Sequence, residues 1–239
     1  MTVYNLLEQT LHIPWVIQAA LLAAVLLLGA GVVVRRQLAT AGGGVVPDEG
    51  VTVRNVFEVI VDGLGNLARD TIGEDWRRYF PIVGTIFFFI LIANLKGLIP
   101  GLGGATSDIN TTVAWATISF LAYNYVGIRK HGVWYVNQFL GPSFFETTIF
   151  GRHVHVRLLA PLFLPLEFIL HLARIVTLAI RLLANMFADH TVVAVWISLV
   201  PIAVPAIFMG LGLLVAVLQA FVFSLLTMIY IGQALEDPH

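Results

Sequence analysis

Residues 158–190 read LLAPLFLPLEFILHLARIVTLAIRLLANMFADH. The stretch is apolar enough to lie in a bilayer, yet Arg181 sits well inside it, flanked by Leu178, Ala179, Ile180, Leu182 and Leu183. A charge at mid-membrane depth costs roughly 2.5–3.5 kcal/mol on insertion scales. Such a residue is retained where it faces a polar cavity or an ionic partner. The partner of Arg181 is therefore the central question about this chain.

Composition supports a membrane setting. Of 239 residues, 59% are hydrophobic and 11% charged, against about 25% charged in a typical soluble domain. That is too much apolar surface for one water-soluble core. The chain has no cysteine, which removes disulfides, thiol nucleophiles and Cys-ligated metals. Residues 1–12 lack the basic segment of a secretory signal, so the first apolar run is expected to be a retained helix.

The apolar runs divide the chain as one all-α, polytopic membrane domain over 1–239. A span needs about 20 apolar residues. Residues 13–34 form the first, closed by Arg35-Arg36. The loop Ala41-Gly42-Gly43-Gly44 and Pro47-Asp48-Glu49-Gly50 follows. Residues 52–75 place Val53, Val56, Phe57, Ile60, Val61, Leu64, Leu67 and Ile72 at helical spacing among Arg54, Glu58, Asp62, Arg69 and Asp70. Such an amphipathic helix belongs on a membrane surface or against a partner. Residues 80–99 and 111–128 are the second and third spans, joined by a Gly-rich turn over 100–110. Residues 131–157, with His153 and His155, fit either a short surface hairpin or an interfacial segment.

Two long apolar segments end the chain, 158–190 and 192–234. As helices each runs on the order of 50–60 Å, while the hydrocarbon core is about 30 Å thick. Pro201 and Pro205 allow a break early in the last segment. Arg181 lies well past Pro161 and Pro165, so its helix is expected to tilt strongly, the last two helices forming a hairpin.

Ten of the 13 Lys and Arg residues fall at Arg35-Arg36, over 54–78, at Arg129-Lys130, and at Arg152 and Arg157. The positive-inside rule makes these segments cytoplasmic. Five crossings then place the N-terminus outside and the C-terminus inside.

On a helical wheel with Arg181 at zero, Arg174 falls at about 20°, Glu167 and Asn185 at about 40°, and His171 and Asp189 at about 80°. His190 falls on the far side. This face is a ladder able to hold water and move protons. A structural alternative also exists: Glu167 and Arg174 neutralise each other, and the remaining polar groups join helices. Arg181 resists that account. Its nearest same-face carboxylate on the helix is Asp189, two turns away, and the last helix has no acid before Glu236. An acid on another chain is the expected partner. An arginine facing such an acid favours its ionised form, so an acid moving past must release its proton first and can rebind one afterwards.

Three motifs then carry a resemblance. Arg181-Leu182-Leu183-Ala184-Asn185-Met186 is similar to the R-L-x-x-N-M motif of subunit a of F-type ATP synthases. The run from Gln219 through Ala220, Phe221, Phe223, Leu225, Leu226 and Thr227 to Tyr230 resembles that family's Q-A-F-x-F-x-L-L-T-x-x-Y signature. Asp108-Ile109-Asn110-Thr111-Thr112 resembles its D-[IV]-N-x-T segment, and Pro81 and Asn94-Leu95 fit as well. The likeness covers residues 80–234.

The resemblance implies a stator channel in the bacterial inner membrane, beside a rotating ring of c subunits whose carboxylates carry the ion. Further partners would be the b-subunit peripheral stalk and the remaining ATP synthase subunits, with no cofactor. Arg181 matches the essential gate, Gln219 the glutamine near it, and Asn185 the motif asparagine. Glu167 matches a cytoplasmic half-channel acid, and Arg174 an often basic position. Asp108, Asn110 and His190 fall where the family lines the opposite half-channel. Many relatives carry Glu in place of His190 and His in place of Gly212, so this chain lacks the familiar Glu-His pair. His190, with an ordinary pKa near 6.5, can relay alone, and Asp189 is an acidic neighbour.

Other readings have less support. A sodium-translocating version of the same subunit depends on the ring. A secondary transporter is expected to show two similar halves, and no internal repeat is visible. An intramembrane metalloenzyme built on His153, His155 and His171 or His190 lacks an HExxH pattern, and no GxxxxGK[ST] nucleotide loop is present. Nothing points to nucleic acid.

Overall fold

The computed structural model describes residues 14–40, 52–99, 104–132, 135, 145–149, 152–156, 160–199 and 203–236. Six helices dominate: α1 (Trp15–Thr40), α2 (Val53–Ile72), α3 (Trp76–Gly97), α4 (Ile109–His131), α5 (Ala160–Leu199) and α6 (Ala203–Leu235). A 3-10 turn, Ala105–Ser107, precedes α4. A two-stranded antiparallel hairpin pairs β1 (Phe145–Ile149) with β2 (Arg152–Val156).

The helical architecture agrees with the expected polytopic all-α fold, and the hairpin is a short addition to it. It realises the first of the two options left open for 131–157. Its strands carry Thr147, Thr148, Val154 and Val156, β-branched residues that fit a pleated surface. In its register His155 stands opposite Glu146 and His153 opposite Thr148.

Helix ends follow local chemistry. The Thr52 side chain caps α2 by accepting from the Asn55 amide at 3.2 Å. Gly73 closes α2 at φ 85°, a conformation that favours glycine. Asp108 caps α4 by accepting from the Asn110 amide at 2.8 Å. Helix α1 continues past Arg35-Arg36 to Thr40, because arginine is a good helix former and the breakers begin at Gly42. Helix α5 does not stop at 190. It runs through Asp189, His190 and Thr191 to Leu199, since no glycine or proline lies between His190 and Pro201.

Three of the described helices are long and apolar enough to cross a membrane: Trp15–Gln37, Trp76–Gly97 and Val204–Leu235. Their outward faces are apolar. On α6, Ile207, Leu211, Leu214, Leu218 and Phe221 recur at intervals of three and four and are all exposed. On α1, Leu21, Val25, Leu28 and Val32 repeat the pattern. Lipid tails satisfy such faces where water would not.

The core joins α2 to α6. Leu64 and Ala68 of α2 pack with Ile86 and Ile90 of α3, Ala116 and Tyr123 of α4, Leu182 and Met186 of α5, and Phe223 and Ile231 of α6. Lipid is as apolar as leucine, so close backbone approach matters more here than hydrophobic burial. Small residues provide it. Ala116, Ala216 and Ala220 are fully buried, and a Cβ at Gly232 would lie 2.6 Å from the Thr71 carbonyl oxygen. Polar side chains add specific ties. Asn94 accepts from the Thr106 hydroxyl at 2.7 Å, and buried Lys96 donates to the Ala19 carbonyl at 3.0 Å. These two residues, which interrupt the apolar run of α3, fasten it to the 3-10 turn and to α1.

Candidate ion-translocation site

The polar face of α5 is divided among three places. Toward its N-terminal end, His171 Nδ1 lies 3.0 Å from the Glu167 carbonyl oxygen, its hydrogen-bond partner. The same nitrogen is 3.5 Å from Glu167 Oε1. One turn on, the Arg174 guanidinium stands 4.8 Å from the centre of the Tyr230 ring. Tyr123 of α4 contacts both His171 and Tyr230, with ring centroids 6.2 Å and 5.6 Å away. Glu167 therefore turns to His171, and Arg174 to an aromatic face. The expected alternative of a Glu167–Arg174 ion pair is absent among the described residues.

In the middle, Arg181 is half-buried. Among the described residues it makes no hydrogen bond, ion pair or ring contact. One turn further on, Asn185 Nδ2 donates to Gln219 Oε1 of α6 at 2.6 Å. Gln219 is buried, and among the described residues its Nε2 has no partner. This bond fixes the register of α5 against α6 beside the unpaired guanidinium.

Past the middle lie Asp189 and His190, both half-buried. The Asp189 carboxylate points at α6, where a Cβ on Gly212 would come within 2.6 Å of Oδ1. The His190 ring fills a slot between Gly97 of α3 and Gly104. A Cβ at Gly97 would stand 3.2 Å from His190 Nε2, and one at Gly104 2.9 Å from Cε1. Nε2 is buried and has no hydrogen-bond partner among the described residues. These neighbours, about 100° apart on the wheel, both turn inward, toward α6 and α3 respectively.

Asp108 and Asn110 behave differently. Asp108 is occupied in capping α4, Asn110 is exposed, and among the described residues no hydrogen bond joins either to His190. Sequence reasoning missed Gly97, Gly104 and Tyr123. Tyr230 was visible within its motif, but nothing there indicated that it receives Arg174. The glycines carried no signal beyond their identity, because the space they leave is defined by a different helix.

Among the described residues no three His, Asp or Glu side chains cluster as a metal would require. What the fold presents is a polytopic helical membrane protein with a row of charged and polar groups along α5, one of which, Asn185, bonds to α6. The chain belongs to the ATP synthase A chain family, whose pattern matches residues 16–232. This family is the non-catalytic membrane subunit a, and ATP chemistry resides in other subunits. The chain is 40% identical to ATP synthase subunit a 1 of Syntrophotalea carbinolica over 92% of its own length and 85% of that protein. It is 41% identical to ATP synthase subunit a of Trichlorobacter lovleyi, covering 90% and 84%. It is 38% identical to that of Bdellovibrio bacteriovorus, covering 91% and 90%.

Proposed function

We propose that this chain is the stator ion channel of a rotary ATP synthase, with Arg181 separating two offset aqueous half-channels. The observation that carries the reading is the half-buried Arg181 guanidinium, unpaired among the described residues and lying between two polar clusters. At 1.5 Å per residue, His171 lies ~15 Å before it along the helix and Asp189 ~12 Å after it. One cluster, Glu167, His171 and Arg174, serves the cytoplasmic side. The other, Asp189 and His190, serves the opposite side, with Asp108 and Asn110 at its mouth.

A carboxylate on a neighbouring c-ring subunit completes the site. Opposite Arg181 that acid is held ionised. As the ring turns it leaves the arginine, takes a proton from one half-channel, travels round through lipid in neutral form, and releases the proton into the other. The fixed positive charge blocks proton passage straight between the two routes. The family's departure at Gly212 is accommodated locally: Asp189 takes the space that a side chain there would fill, and His190 supplies the relay group.

Helices α1, α3, α4, α5 and α6 are the five crossings, with α2 on the cytoplasmic surface, the N-terminus outside and the C-terminus inside the bacterial inner membrane. Helix α5, with 40 residues, extends ~60 Å, twice the hydrocarbon thickness. It therefore crosses obliquely and presents several turns to a curved ring. The b-subunit stalk and the rest of the synthase hold it stationary.

The test is Arg181→Ala in the intact complex. Assembly should persist, while ATP-driven proton pumping in inverted vesicles and ATP synthesis disappear. Pumping at a near-normal rate would refute the reading. Glu167→Gln and Gln219→Ala should reduce pumping less, because a water chain bypasses a single relay group.

A further inference from the structure

At the base of α3, outside the channel groups, two cavities adjoin. The first, about 530 Å³, is lined by Arg69, Gly73, Glu74, Trp76 and Arg77. The second, about 340 Å³, shares Trp76 and Arg77 and is otherwise lined by Val61, Asp62, Gly65, Asn66 and Phe80. The Trp76 ring forms their common wall. It packs on Gly65, where a Cβ would stand 3.3 Å from Cζ3, and edge-on to Phe80 at 5.6 Å between ring centroids.

Among the described residues neither Arg69 nor Arg77 forms an ion pair. The Arg77 guanidinium lies 5.6 Å from the centre of the Trp76 ring. Both arginines are exposed, and Trp76 is the first residue of a membrane span. That is the depth at which tryptophan anchors helices and lipid headgroups lie. Helix α2 is the amphipathic element beside it.

The geometry points to a phospholipid seat, in which Arg69 and Arg77 hold the headgroup phosphodiester and the glycerol end lies against Val61, Gly65 and Phe80. Arginine offers paired N–H donors that fit a phosphate, and basic pockets at the membrane boundary suit lipid headgroups. Glu74 is the acid in the first cavity. It faces the far side of the headgroup, where a glycerol hydroxyl or an ammonium supplies a donor. Asp62 and Asn66 also line the second cavity, beside its apolar residues. Free phosphate would match the first cavity alone and leave the second without an occupant. An amphiphile uses both. This inference does not depend on the Arg181 gate.

The experiment uses the intact purified complex in neutral detergent. Its thermal midpoint is followed on titration with phosphatidylglycerol, phosphatidylethanolamine, phosphatidylcholine or sodium phosphate, and bound lipid is counted by mass spectrometry. The wild-type complex should retain phospholipid, and its midpoint should rise with phosphatidylglycerol or phosphatidylethanolamine. Arg69→Gln with Arg77→Gln should weaken that response about tenfold or more, since two charge-assisted hydrogen bonds are lost. Gly65→Leu, which fills the apolar cavity and keeps both arginines, should weaken it as well. An undiminished response in both variants overturns the proposal. So does an equal response to sodium phosphate, which assigns a free-anion site. A wild-type complex that holds no phospholipid and responds to none also overturns it, and leaves the cavities to a neighbouring protein segment.

Discussion

Gly212 leaves the room that the Asp189 carboxylate fills. A Cβ on Gly212 would lie 2.6 Å from Oδ1 and 2.7 Å from Oδ2, and 2.7 Å from Leu98 Cδ2. Three elements meet at this point: α5 supplies the acid, α6 the gap, and the end of α3 the apolar wall. A missing side chain on one helix thus decides whether an acid on another can face inward.

Gly212→Val should therefore push Asp189 out of place, at about 1–3 kcal/mol of overpacking, and slow passive proton conduction through the membrane sector. Adding Asp189→Ala should recover part of the lost stability, because the clash with the carboxylate disappears while that with Leu98 Cδ2 remains. Strictly additive effects in thermal denaturation of the two single variants and the double variant would show that the residues do not couple.

The Asn185–Gln219 bond gives an asymmetric expectation. Gln219 is buried, and its Nε2 already lacks a partner among the described residues. Asn185→Ala strips the partner from its Oε1 too, leaving an amide with no bonds, at a cost of about 1–3 kcal/mol. Gln219→Leu fills the same space without a buried amide and should cost less. The comparison is read from the midpoints of the detergent-solubilised complex, and a larger loss for Gln219→Leu contradicts it.

Helices α4 and α6 are joined by the buried hydroxyls of Ser119 and Thr227, 2.9 Å apart. Thr227 also donates to the Phe223 carbonyl at 2.9 Å, so its hydroxyl serves two contacts. Interhelical hydrogen bonds in membrane proteins average about 0.6 kcal/mol. Ser119→Ala should cost about that much, Thr227→Val more, and the pair together less than the sum. A double-mutant cycle on thermal stability measures the difference. A coupling of zero would mean the hydroxyls do not bond in the membrane.

Much of this protein was readable along the chain. Hydrophobic runs located the helices, since in lipid every backbone polar group must be satisfied within the segment. Arg181 announced itself through the cost of its position, and the spacing of Glu167, His171, Arg174, Asn185 and Asp189 showed one face of one helix. The polar Asp189-His190-Thr191 triplet divides the apolar runs 158–190 and 192–234, yet α5 continues through it to Leu199. A helix tolerates those residues when no glycine or proline accompanies them. The hairpin over 145–156 is harder to read from sequence, because two five-residue strands carry no helical periodicity to argue from.

Periodicity and local chemistry are properties of neighbours in the chain, so the sequence by itself determined the membrane setting, the helices, the buried charge and the family. Contacts between helices are not. Only the tertiary structure decided that Glu167 turns to His171 and Arg174 to Tyr230, that Asn185 reaches Gln219, that His190 enters a slot made by two glycines, and that Gly212 makes room for Asp189. Each depends on the rotation and distance of a second helix, set by close packing of small residues such as Ala216, Ala220 and Gly232. No spacing within α5 encodes them.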